Sequence, residues 1–398
     1  MIKLTVILAA STLMACAAPS ANMSSTSSPT SCAGGDAEAC YMLGWMVRQG
    51  AHMTEQSAVV FFTEACALGH AKACNEAGWE TFNGVGTAKD DEAAVAFYTR
   101  GCEGLEEKYT FACGNLGHHL FNGIGTAKDT EAAVAHFSYA CEGGLIHSCH
   151  NLGIAYEQGE GVTQDDARAR ELYEKACLKN IPGACTNLGV LALTGRGGDV
   201  DLPRSIALLD RECEVRDEPW ACTSLGYAYN LGLGVETDAC KAKALHEKSC
   251  ALENQLGCAN LSDHLIHERC AVRDLKRAET LATKSCEAIN RGCASLGWIA
   301  ETGANAKADK ARALALYRKG CSAGDAYACE RLGIFFAQGI VVEKDPQAAM
   351  EKYEESCRLG RPDACSLALK LASSSKAQPA DLAALKARAC SFGVGPCP

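Results

Sequence analysis

The chain has 398 residues, of which 48% are hydrophobic, 22% are charged and only 10 are proline. That is enough apolar material for a large core, and it excludes a disordered or low-complexity protein. The formal net charge is −10, the wrong sign for neutralising a phosphate backbone, so no nucleic-acid partner is expected.

The chain begins with a basic residue, Lys3, and an apolar run from Leu4 to Met14, too short for an ordinary membrane-spanning helix and suited to an export signal. The run ends in Leu13-Met14-Ala15-Cys16, which resembles a bacterial lipobox, where the cysteine sulfur takes a diacylglycerol and the residue becomes the new amino terminus. The expected layout is a signal peptide over 1–15, lipidation at Cys16 and a flexible tether rich in serine, alanine and threonine over 16–31. An ordinary cleaved signal that happens to end near a cysteine is the competing reading. Alanine rather than aspartate at position 17 implies, by the same resemblance, sorting to the outer membrane, with the lipid as the only membrane attachment.

The cysteines beyond Cys16 fall into pairs in chain order. These are Cys32 and Cys40, Cys66 and Cys74, Cys102 and Cys113, Cys141 and Cys149, Cys177 and Cys185, and Cys213 and Cys222. Then come Cys250 and Cys258, Cys286 and Cys293, Cys321 and Cys329, Cys357 and Cys365, and Cys390 and Cys397. First members lie 33 to 39 residues apart, most often 36, the period of a helix-turn-helix repeat.

Twelve places before the first cysteine stands Asp90, Asp129, Asp165, Asp201, Asp238, Asp274, Asp309 or Asp345, with Thr54 in the earliest full repeat, each placed to cap a helix. Pro346 and Pro379 sit one place later, where a fixed φ suits the first helical turn. Apolar residues eight, five and four places before the cysteine, such as Ala94, Phe97 and Tyr98, make one stripe along that first helix. After the second cysteine an apolar residue and then glycine recur three and four places on, as in Leu152-Gly153, which predicts a second helix. Glycine inside a helix costs ~1 kcal/mol relative to alanine. Its recurrence at 44, 78, 117, 153, 189, 226, 297 and 333 therefore predicts close backbone approach there. A further glycine ten places after the cysteine, as at Gly123 and Gly159, should end the helix in a left-handed conformation.

If the chain stayed helical, cysteines eight apart would be separated by ~12 Å, beyond the ~4.4–6.8 Å a disulfide spans between Cα atoms. The chain must therefore reverse between them, and each bridge staples two antiparallel helices at their bend, contributing ~2–3 kcal/mol in the chain-entropy model. The wider spacing of Cys102 and Cys113 fits an insertion in that turn. Cys240 and Cys270 remain, at the start of the first helix and beyond the end of the second in the repeat of Cys250 and Cys258. A second bridge between them is expected at the open end of that hairpin. The same repeat carries Ser262 and Glu268 at the two glycine positions.

The runs Asn115-Leu116-Gly117, Asn151-Leu152-Gly153, Gly84-Val85-Gly86 and Gly159-Glu160-Gly161-Val162 resemble Sel1-like repeats, and the paired cysteines are more specifically similar to the Helicobacter cysteine-rich proteins. The resemblance covers about residues 32 to 397, so 32–398 is expected to be one all-α solenoid. It implies a right-handed superhelix of antiparallel helix-turn-helix repeats, related to tetratricopeptide repeats, with a concave surface suited to a protein, a peptide or a cell-wall glycan. It also raises an alternative, since penicillin binding and β-lactam hydrolysis have been attributed to the cysteine-rich family.

Few residues suit that alternative. Ser373 and Lys376 match a serine-x-x-lysine pattern, but in an exposed linker without the Ser-Asp-Asn or Lys-Thr-Gly partners, and Ser262-Asp263 is followed by His264. The grouped histidines His118 and His119, His147 and His150, and His264 and His267 lack acidic or thiol ligands at convincing spacing once the cysteines are oxidised, and read as solvated surface residues. No metal, cofactor or catalytic residue is expected. Trp45, Trp79 and Trp298 read as packing between repeats rather than partner contacts. Asn115, Asn151, Asn187 and Asn260, which could grip a ligand backbone, read as ties for the repeat turns. The reading is an exported, disulfide-stapled binding scaffold of the bacterial cell envelope, periplasmic or surface-exposed, with the β-lactam hydrolase as the alternative.

Overall fold

The computed structural model describes residues 32, 35–50, 56–103, 108–267, 270, 273–304, 306–374 and 379–394. Among them there are twenty α-helices and no strand. The helices group into two compact units, one ending at Asp201 and the other beginning at Leu202. The first holds α1 (Ala37–Arg48), α2 (Ala58–Ala67), α3 (Ala71–Asn83), α4 (Asp91–Cys102), α5 (Thr110–Asn122), α6 (Thr130–Glu142), α7 (Ile146–Gln158), α8 (Asp166–Leu178) and α9 (Ala184–Thr194). The second holds α10 (Leu202–Arg216), α11 (Pro219–Leu231), α12 (Ala239–Ala251), α13 (Gln255–Ile266), α14 (Leu275–Ile289), α15 (Cys293–Thr302), α16 (Lys310–Ser322), α17 (Ala326–Gln338), α18 (Pro346–Arg358), α19 (Pro362–Ser373) and α20 (Leu382–Ser391).

The caps explain where the first helix of each repeat starts. Asp90, Asp129 and Asp165 accept from the amides of Ala93, Ala132 and Arg168 at 2.9, 3.0 and 2.9 Å, and Asp238, Asp274, Asp309 and Asp345 do the same for their helices. Thr54 lies outside the described residues, and Ser57 stands at the start of α2 without a side-chain capping bond. Pro379 does not open the last helix. Asp381 caps it instead, accepting from Ala384 at 2.9 Å, because it supplies the acceptor that proline lacks. Gly159 ends α7 at φ 68°, where a side chain would be strained.

Within each repeat the closed end of the hairpin is stapled. Eleven bridges join described cysteines, each with a Cα separation of 4.5 to 4.9 Å. They link Cys32 to Cys40, Cys66 to Cys74, Cys102 to Cys113, Cys141 to Cys149, Cys177 to Cys185, Cys213 to Cys222, Cys250 to Cys258, Cys286 to Cys293, Cys321 to Cys329 and Cys357 to Cys365. The eleventh joins Cys240 to Cys270. Cys390 is also disulfide-bonded, while Cys397, the signal and tether segments and Cys16 lie outside the described residues.

Between repeats the join is different. The glycine four places after the second cysteine is a hole, and the aromatic side chain four places before the next first cysteine fills it. Phe62, Tyr98, Phe137, Tyr173, His246, Tyr317 and Tyr353 lie on Gly44, Gly78, Gly117, Gly153, Gly226, Gly297 and Gly333, and a Cβ on any of these glycines would come within 2.6 to 2.9 Å of the ring. The close approach expected at these glycines is there, and a ring makes the tightest part of it. The nearest neighbour is a ring, and backbone comes second, as with the Ala133 carbonyl 3.2 Å from a Cβ at Gly117. Tyr98, Tyr173 and Tyr317 are fully buried there, where an aromatic side chain contributes most.

A second device between repeats went unread in the sequence. The cation two places before a first cysteine reaches back to carbonyls at the end of the preceding first helix. Arg100 donates to Ala67, Lys248 to Cys213 and Arg388 to Arg358, at 3.0, 2.8 and 3.2 Å. A positive charge belongs at that end of a helix, where unpaired carbonyls concentrate negative partial charge.

Candidate functional site

The second helices carry a polar row just after the staple. Asn75 follows Cys74 directly and is buried, and Asn115, two places after Cys113, donates from Nδ2 to its Oδ1 at 2.9 Å. One repeat further, His150 follows Cys149 and Asn187 donates from Nδ2 to its Nε2 at 3.1 Å. The rule is that the second position of one repeat bonds the first position of the repeat before. By that register Asn151 comes opposite Gly114, which has no side chain to offer, and Asn151 makes no side-chain hydrogen bond among the described residues. Asn260 lies 3.4 Å from His246 Nε2. The expectation that these asparagines tie down turns is corrected: all four sit half-buried inside helices, where Asn115 and Asn187 bond the neighbouring repeat and Asn260 faces His246 of its own hairpin.

Buried tyrosines, each bonded to a glutamate that also holds a half-buried arginine, reinforce this row. Tyr173 donates to Glu157 Oε2 at 2.7 Å, Arg196 donates to Glu157 Oε1 at 2.8 Å, and Arg196 also pairs with Asp166 at 2.6 Å. Burial, then the Glu157 carboxylate, hold the Tyr173 hydroxyl far above the usual phenol range, so it stays a donor. Tyr317 repeats the contact on Glu301 at 2.7 Å, with Arg331 also bound to Glu301. In the first repeats Arg48 lies 4.5 Å from the Trp45 ring and 4.6 Å from that of Phe62, and pairs with Glu76 and Glu80 at 2.6 and 2.8 Å. Trp45 is buried there and Trp79 lies 5.5 Å from the same guanidinium, while Trp298 packs edge-on to His267 at 5.8 Å.

The histidines need correction as well. His118, His119, His150, His246 and His264 are buried, not solvated. They occupy positions the repeat turns inward, His246 being the filler of the Gly226 hole. Burial pushes His118, His150 and His246 down to about 4. His147 is half-buried, and His267 is exposed, paired with Asp263 at 3.2 Å. Among the described residues, each group of three or more side chains spaced for a metal contains a disulfide pair. These are Cys102 and Cys113 with His136, Cys32 and Cys40 with Glu64, and Cys321 and Cys329 with Glu355.

Ser373 stands at the exposed end of α19, its hydroxyl donating to the Lys370 carbonyl at 2.9 Å, and Lys376 lies outside the described residues. Ser262 is buried and donates to the Ala278 carbonyl at 2.9 Å. Both hydroxyls are therefore committed to backbone.

The model of the Sel1 repeat matches residues 37–70, 71–104, 110–145, 146–181, 182–211, 221–254, 291–325 and 326–360. The chain belongs to the Sel1 repeat family. Among solved structures, this Sel1 repeat protein is similar to c5321, described as a protective antigen present in uropathogenic Escherichia coli strains and displaying an SLR fold. That match has 25% identity and a TM-score of 0.53, covering 84% of this chain and 72% of the other. A Sel1 repeat protein from Oxalobacter formigenes matches at 23% identity and a TM-score of 0.51, over 62% of this chain and 99% of its own. No curated protein matches the sequence. The number of bridges points to an oxidising compartment outside the cytoplasm. Among the described residues no helix is long and apolar enough to cross a membrane.

Proposed function

We propose that this Sel1 repeat protein is a lipid-anchored scaffold of the bacterial cell envelope that binds an extended polypeptide segment along the second helices of its repeats. The observation that carries the reading is the row Asn115, Asn151 and Asn187, one half-buried carboxamide per repeat at a constant 36-residue interval, with Asn151 lacking a side-chain partner among the described residues. A carboxamide offers both donor and acceptor, the complement of a peptide unit. Packed helices lie ~8–10 Å apart, and an extended strand rises ~3.3 Å per residue, so one asparagine per repeat meets roughly every third residue of a bound chain. The c5321 protein, described as a protective antigen, supports an outward-facing role. The export signal and Cys16 supply the anchor in this reading.

The test is a panel of unstructured peptides drawn from envelope proteins, titrated by fluorescence anisotropy beside soluble cell-wall glycan fragments. Saturable peptide binding that Asn151→Ala weakens about 5–10-fold is expected, from the loss of a hydrogen-bonding group at a half-buried site. Saturable binding of the glycan fragments alone overturns the reading. Mass spectrometry of the amino-terminal peptide reports separately on the diacylglycerol at Cys16, and an unmodified terminus rules out the anchor.

A further inference from the structure

The bridge of Cys102 and Cys113 differs from its counterparts in two ways. Its cysteines are 11 residues apart, against 7 to 9 in the other hairpin staples, and a histidine from the next repeat faces it. His136 Nδ1 lies 3.4 Å from Cys102 Sγ, and His136 Nε2 lies 3.0 Å from a carboxylate oxygen of Glu103. A carboxylate at Nε2 holds the proton there, which leaves Nδ1 as a bare lone pair. That lone pair points at a disulfide sulfur, which carries no hydrogen to give it. The imidazole is held in a geometry that the oxidised bridge does not use.

We propose that the reduced Cys102 and Cys113, together with His136, bind one soft divalent transition-metal ion of the zinc type. Two electrons from an external dithiol break the S–S bond, that dithiol closes to its own disulfide, and two thiols are left. On metal binding the thiols release two protons to solvent, and the sulfur electron pairs freed from those bonds are donated to the ion. His136 Nδ1 gives the third ligand, and a water completes a four-coordinate site. The three donor atoms already lie within 4.8 Å of one another. Tetrahedral thiolate and imidazole ligands at about 2.0–2.3 Å from zinc stand roughly 3.5–3.8 Å apart, so the gathering needs small shifts. Glu103 takes the outer place that a carboxylate commonly holds behind a metal-binding histidine, fixing its tautomer and raising its basicity. His136 and Glu103 are 13% and 49% exposed, which opens the site to solvent on the imidazole side.

The comparable groups are less suited. Glu355 beside Cys321 is paired with Lys352 at 2.7 Å, and a carboxylate is a harder donor than thiolates favour. The staples Cys66 to Cys74 and Cys141 to Cys149 on either side can hold the fold while this one is open.

The test uses the full-length oxidised protein. It is exposed to increasing dithiol, the opened cysteines are mapped by alkylation, and the reduced protein is titrated anaerobically with Co²⁺. Cys102 and Cys113 should open before the other hairpin staples, the exposed Cys240 to Cys270 tie aside, with helical circular dichroism retained, and one equivalent of Co²⁺ should give thiolate charge-transfer and tetrahedral d–d absorption. His136→Ala, which leaves both cysteines in place, should weaken Co²⁺ binding about 100-fold or more, and Glu103→Gln about 10-fold. Earlier opening of another hairpin staple, loss of helix on reduction, absence of the Co²⁺ spectrum, or an unchanged spectrum and affinity in His136→Ala would each overturn the proposal.

Discussion

The contact between α7 and α8 and the one between α13 and α14 solve the same packing problem in opposite ways. In the first, Tyr173 of α8 lies on Gly153 of α7, and its hydroxyl continues into Glu157 and Arg196. In the second, α13 carries Ser262 where the glycine belongs, and the facing position on α14 has shrunk to Ala282, fully buried. Ser262 spends its hydroxyl on the Ala278 carbonyl. The side chain too many on one helix is matched by the ring too few on the other. What the repeats preserve is the filled volume of the pair, as close packing requires. The Sel1 model matches residues 146–181 and passes over 255–290, and in this departing region the Cys240 to Cys270 bridge ties the end of the hairpin.

The comparison breaks most visibly if the ring is removed. Tyr173→Ala should cost about 3–5 kcal/mol, the usual range for emptying a large aromatic site. Ala282→Gly should cost only about 1 kcal/mol. Urea unfolding of both variants decides it, and equal losses would mean that the ring is not what joins the repeats. Next come the covalent ties. In the chain-entropy model the 30-residue loop closed by Cys240 and Cys270 is worth about 3.5 kcal/mol, against about 2.5 kcal/mol for the 8-residue loop of Cys177 and Cys185. Paired Cys→Ala variants at each bridge, compared by thermal unfolding, should rank in that order. A third test rebuilds the regular contact in the departing repeat. Ala282→Tyr alone should destabilise by about 1–3 kcal/mol through overpacking. Combined with Ser262→Gly it should recover at least about 1 kcal/mol of that, and a double-mutant cycle with no coupling would refute the paired-volume account.

Much of this architecture was legible beforehand, for identifiable reasons. Disulfides, caps and terminal glycines are local features whose geometry follows from a few neighbouring residues, so Cys240 with Cys270 or Asp165 before α8 could be placed from spacing alone. The glycine at 153 and the tyrosine at 173 were both visible as separate patterns. Their contact was not, because it joins two helices across a turn, and only the joint exchange at Ser262 and Ala282, twenty residues apart, reveals it. The asparagines and histidines were misplaced for a related cause. Polarity alone favours the surface, but at Asn187 and His150 each supplies the other's partner, and a satisfied polar pair can be buried.

The chemical identity of the ring gives the mildest way to sharpen the comparison. Tyr173 does not titrate in the working range, whereas the ring on Gly226 is His246, pushed down to about 4 by burial and then by the neighbouring His264. Thr223 and Asp263 also act on His246, both opposing the shift, and Asn260 faces it at 3.4 Å. An unfolded histidine titrates near ~6.5. Above that pH neither state takes a proton, and the residue costs nothing. Below it the unfolded chain binds a proton that the folded chain refuses, so stability falls with falling pH until the folded imidazole itself titrates near 4. At pH 5.5 the loss from this one ring amounts to about 1 kcal/mol. His246→Phe fills the same hole without titrating and should flatten the profile by that amount between pH 7 and pH 5.5. His118 and His150, also pushed down to about 4, will keep part of the slope in either protein. Urea midpoints measured at the two pH values should therefore converge, and parallel curves for the two proteins would show that the proton is not excluded at the Gly226 contact.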